Sequence, residues 1–153
     1  MNSRKETKEK IYRSLETLLR ARVDEALLAM KGTREARDNE TKSSAGDKHE
    51  TARAMMQIEL ENLERQLSKA ESLLKELLQV NIALETDRVT TGSLVFTSQQ
   101  NYFIAVGVGK VIVDSETYYA ISLASPVGQL LKDKKVGDNV MFMGKEFIVQ
   151  DIL

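Results

Sequence analysis

The chain has 153 residues, 42% hydrophobic, 29% charged and 5% aromatic, which allows one ordinary domain or two small ones. With no cysteine and a single histidine, it excludes a disulfide scaffold, a Cys-ligated zinc or iron–sulfur site and a thiol nucleophile, and leaves little for a His-based metal site or a Ser-His-Asp triad. Lys plus Arg number 22 against 23 for Asp plus Glu, so any attraction to nucleic acid or anionic membrane has to be local.

The first residues, Met1 to Arg13, are polar where a signal peptide needs an apolar core, and no apolar run approaches the roughly 20 residues that span a bilayer. A cytoplasmic protein with no membrane contact is expected. Ile11, Leu15, Leu18, Arg22, Ala26 and Ala29, flanked by Tyr12, Leu19, Val23, Leu27 and Met30, predict a first amphipathic helix. The stretch Arg37 to Gly46 has no apolar residue larger than Ala and many turn formers, and reads as a tip or turn. From Met56 the apolar positions Met56, Leu60, Leu63, Leu67, Ala70, Leu74 and Leu77 repeat at alternating spacings of 4 and 3, a coiled-coil seam. Two such helices joined by a short polar link predict an antiparallel hairpin, each arm about 55 Å long at 1.5 Å per residue. A homodimer through the coiled coil is the alternative.

Six of the eight Gly, the only Pro and seven of the eight aromatics lie from Gly92 onward. Here SerLeuValPhe, TyrPheIleAlaVal, LysValIleValAsp and ThrTyrTyrAlaIleSerLeu predict strands. Ser125 as N-cap and Pro126 at the first position open a short helix over Val127 to Leu131, and two strands follow, Asn139 to Met143 and Glu146 to Ile152. The expected fold class is α+β: a helical hairpin over 1–86 with its tip near 38–50, then a small antiparallel β domain with one short helix over 87–153.

Gly107-Val108-Gly109-Lys110 lacks the spacing and the Ser or Thr of a phosphate loop, and reads as a turn or bulge between strands. His49 reads as a solvated residue, and Ser43-Ser44 as loop residues or phosphate contacts. Asp47 and Glu50 are three apart, so both carboxylates lie on one side of the first turn if the second helix begins near Gly46. At the end of a thin rod such a pair can carry chemistry; the bland reading is helix capping, a capping box with Asp47 as the N-cap.

The tail Ser125-Pro126-Val127-Gly128, Leu130-Leu131, Lys135-Val136-Gly137-Asp138 before Val140, then Gly144 and Phe147-Ile148-Val149, with Glu35-Ala36-Arg37 and Gly46-Asp47-x-x-Glu50 in the hairpin, resembles the bacterial transcript cleavage factors GreA and GreB. Eight residues separate Arg37 from Gly46 where the family has fewer, and Thr51-Ala52-Arg53 replaces its Asn-Ala-Glu-Tyr. The resemblance implies an FKBP-like C-terminal domain and a transcription elongation factor that enters the RNA polymerase secondary channel and stimulates cleavage of backtracked RNA. The chain is then no enzyme itself: Asp47 and Glu50 act as catalytic residues by helping to hold Mg²⁺ jointly with the polymerase, the tip meets the nascent RNA 3′ end, and Ser125, Pro126, Val127 and Gly128 are candidate polymerase contacts. Lys42, Lys48 and Arg53 are candidates to meet RNA phosphate. A non-cleaving channel regulator and, from another class, a prolyl isomerase or chaperone are the alternatives.

Overall fold

The computed structural model describes residues 3–42 and 46–153. Two helices, α1 (Ser3–Lys42) and α2 (Asp47–Leu78), precede strands β1 (Leu94–Thr97), β2 (Asn101–Ile104), β3 (Gly109–Val113) and β4 (Glu116–Ile121), the short helix α3 (Pro126–Leu131), and strands β5 (Asn139–Phe142) and β6 (Lys145–Ile152). The α+β class, the hairpin and the six-stranded sheet stand as expected. The chain divides into two compact units, one of Met1–Thr17 with Lys75–Leu153 and the other of Leu18–Leu74.

Within Leu18–Leu74 the helices run antiparallel. Met30 packs with Leu60 and Leu63, with Leu67 against them, and Arg37 donates to the Gln57 side chain at 3.1 Å. On α2 the buried positions follow the heptad seam, and on α1 Ile11, Leu15 and Ala26 are buried as expected, while at three positions the expected residue gives way to the next one, Leu18 to Leu19, Arg22 to Val23 and Ala29 to Met30. Ile11, Leu15, Leu19, Ala26 and Met30 are buried and Val23 is half-buried, while Leu18, Arg22 and Ala29 face outward. Where Met30 competes with Ala29 the closed seam takes the larger apolar side chain, because a buried Met contributes about 1.5–3 kcal/mol. The predicted turn does not begin at Arg37, since Arg37 to Lys42 continues α1.

In the other unit the sheet has the order β3-β4-β2-β1-β6-β5. Its pairings are antiparallel except β2 with β4, which run parallel and correct the all-antiparallel expectation. The short link after β2 reverses the chain into β3 one position further out, and β4 then returns into the gap beside β2. Two-residue turns with positive φ close two hairpins, Asp114-Ser115 between β3 and β4 and Met143-Gly144 between β5 and β6, as the right-handed strand twist demands. One face buries Val95, Tyr102, Ile104, Phe147 and Val149 with Val127 and Leu131 of α3.

The first turns of α1 are tied to the other side of the unit by cations. Arg4 pairs with Asp151 and lies over the Phe96 ring at 4.3 Å, Lys10 donates to Asp114 at 2.9 Å, and Lys5 pairs with Glu85 at 2.6 Å. Lys8, only 4% exposed, donates to the Leu153 carbonyl oxygen at 3.0 Å, and burial pulls its amine down to about 8 against the weaker opposite pull of Glu85.

Candidate functional site

Helix α2 starts at Asp47, and the Gly46 carbonyl accepts from the backbone N–H of His49 at 3.0 Å and of Glu50 at 3.2 Å. The residue whose carbonyl takes the first intrahelical bond is the N-cap, so Gly46 holds that position and Asp47 the first helical one. This overturns the capping-box reading, in which Asp47 itself was the cap. It keeps Asp47 and Glu50 in one turn, three residues apart, a spacing that sets Cβ atoms about 5–6 Å from each other. An acid at this place also interacts favourably with the helix N-terminal dipole.

Glu50, Lys48 and Arg53 are exposed and His49 is half-buried. The side chains of Lys42 and Asp47, and residues Ser43 and Ser44, lie outside the described ones. Among the described residues no group of three or more His, Cys, Asp or Glu is placed to hold a metal ion. Two carboxylates fit the share that a protein contributes to a Mg²⁺ completed by another molecule's ligands; they do not make a cage of their own.

The Ser125 to Gly128 turn is occupied with its own fold. The Ser125 hydroxyl donates to the Ser122 carbonyl at 2.7 Å and accepts from the Gly128 N–H at 3.1 Å, capping α3. Val127 and Gly128 are buried, and Pro126 is exposed. Gly128 is required there, since a Cβ would sit 2.3 Å from the Ser122 carbonyl oxygen.

Two features escaped the sequence reading. Arg37, which the turn-forming stretch places at the start of a turn, bridges the helices to Gln57. Lys8 lies three residues before Ile11 on the same helix stripe, and a cation on an apolar stripe was the available signal for its burial. A cavity of about 580 Å³ opens beside it, lined by Lys5, Ile82, Leu84, Glu85 and Ile152 among others.

No family model matches the sequence, and no curated protein matches it. A solved structure described as that of the transcription factor Gfh1 is similar over 91% of this chain and 93% of that one, at 17% identity and a TM-score of 0.39. That likeness assigns no residue a role. None of the helices, searched over the described residues, is long and apolar enough to cross a membrane.

Proposed function

We propose that this protein is a Gre-like transcription factor that binds RNA polymerase through its secondary channel and stimulates the polymerase's own cleavage of backtracked RNA. The observation that carries the reading is the start of α2: Gly46 caps the helix, which leaves Asp47 and Glu50 together in its first turn, next to the reversal between two antiparallel helices. Asp47 and Glu50 would hold Mg²⁺ jointly with polymerase carboxylates, and the ion would activate water for attack on the RNA phosphodiester. Glu50 is exposed, as a ligand offered to another molecule must be. Lys48 and Arg53, also exposed near that turn, suit the RNA 3′ end. Motif resemblance at Gly46-Asp47-x-x-Glu50 and in the Ser125 to Ile152 tail supports the same assignment.

Purified core polymerase stalled on a template that induces backtracking tests this. The wild-type chain should bind the complex and accelerate release of short 3′ RNA fragments. Binding that blocks or alters initiation with no cleavage would select the non-cleaving regulator, and no binding at all would end both readings.

A further inference from the structure

The β5–β6 hairpin presents apolar side chains where its fold has no use for them. Residues paired across the hairpin share a face, so the Val140–Phe147 pair turns into the core, while Met141 and Ile148 lie on the opposite face at 58% and 45% exposure. Met143 stands at the turn itself, 85% exposed, with φ of 51°. The first position of such a turn favours Asn, Asp or Gly, and a long side chain in the left-handed region costs free energy. Nothing in the hairpin repays that cost.

We propose that Met141, Met143 and Ile148 form a docking wedge for an apolar groove on RNA polymerase, an inference that rests on the function proposed above. The occupant follows from charge and area. The neighbouring exposed charges are one of each sign, Lys145 and Glu146, so the hairpin lacks the basic cluster that RNA phosphate or an anionic membrane requires. Three side chains expose on the order of a few hundred Å². That falls short of the roughly 800 Å² per partner that stable self-association takes, and matches the anchoring centre of a larger interface with another protein. Methionine, unbranched and polarizable, suits such a contact. The wedge also offers a partner more apolar surface than the Ser125 to Gly128 turn, whose hydroxyl is engaged and whose Val127 and Gly128 are buried.

The test is the affinity of the full chain for core RNA polymerase, measured for wild type, for Met143→Asn, and for the triple change Met141→Thr, Met143→Asn, Ile148→Thr. Asn fits the turn better than Met, so Met143→Asn should keep or raise the melting temperature while weakening binding at least threefold. The triple variant should bind at least tenfold more weakly. Wild-type binding with unchanged affinity in Met143→Asn and in a folded triple variant overturns the wedge and leaves the function standing. If the triple variant melts early, Met143→Asn alone decides. A wild-type chain that does not bind polymerase overturns the function, and the wedge with it.

Discussion

Replacing Gly128 by Ala places a methyl group where the structure has no room. Its carbon would meet the Ser122 carbonyl oxygen at 2.3 Å, the Ser125 hydroxyl oxygen at 2.8 Å and the Leu123 carbonyl oxygen at 2.9 Å. Two of the three are backbone atoms, so relief has to come from moving α3 or the turn before it. Overpacking of this kind costs about 1–3 kcal/mol. Displacing the Ser125 hydroxyl also gives up the N-cap bond to Gly128, worth about 1 kcal/mol. Together they predict a loss of about 3 kcal/mol, or a fall in melting temperature on the order of 5–10 °C for a chain of this size. Urea titration followed by circular dichroism reads it. Ser125→Ala alone should cost about 1 kcal/mol, and in the Gly128→Ala background nearly nothing, because the bond is already lost. Additive losses, or a Gly128→Ala chain as stable as wild type, would refute the packing described for α3.

Lys8 sets a pH dependence. Its folded-state amine is lowered from 10.5 to about 8, so between those values the unfolded chain binds more protons, and stability should rise by about 2 kcal/mol from pH 8 to pH 10 while staying flat with respect to Lys8 below that window. Lys8→Met should abolish the rise, and chemical denaturation at several pH values checks it. At the α2 start, Asp47→Asn removes a charge that the helix dipole favours, so it should cost about 0.3–1 kcal/mol; an Asp47→Ala chain that melts about 1 kcal/mol less stable than Asp47→Asn would return Asp47 to the capping role, because Asn caps as well as Asp and Ala does not. Arg37→Ala breaks the link to Gln57 across the helices and should cost about 1 kcal/mol, read in the same melts, whereas no loss would show that the bond adds nothing in water.

Strands were legible because β-branched and aromatic runs alternate with turn residues from Leu94 to Ile152, and α3 because Ser125 and Pro126 combine a capping side chain with a preset φ. The α2 seam was legible because Leu recurs without a slip. On α1 each step offers two adjacent apolar choices, Leu18 or Leu19 and Ala29 or Met30, and only packing against α2 separates them. The parallel β2–β4 pairing has no local signature, since it depends on where β3 docks. At the candidate site, the three-residue spacing placed Asp47 and Glu50 in one helical turn and the resemblance to the Gre tip suggested their role, but whether Gly46 or Asp47 caps the helix turns on a carbonyl's geometry that residue types do not specify.

The most direct measurement is RNA cleavage in a stalled, backtracked polymerase complex with Asp47→Asn and Glu50→Gln chains beside wild type, each at a concentration that saturates binding. Asn and Gln keep size and polarity and remove the charge, so polymerase affinity should hold while cleavage falls on the order of 100-fold, the scale of losing one group that stabilises charge in a transition state. Cleavage at the wild-type rate in both variants, with binding intact, would contradict the assignment of these carboxylates.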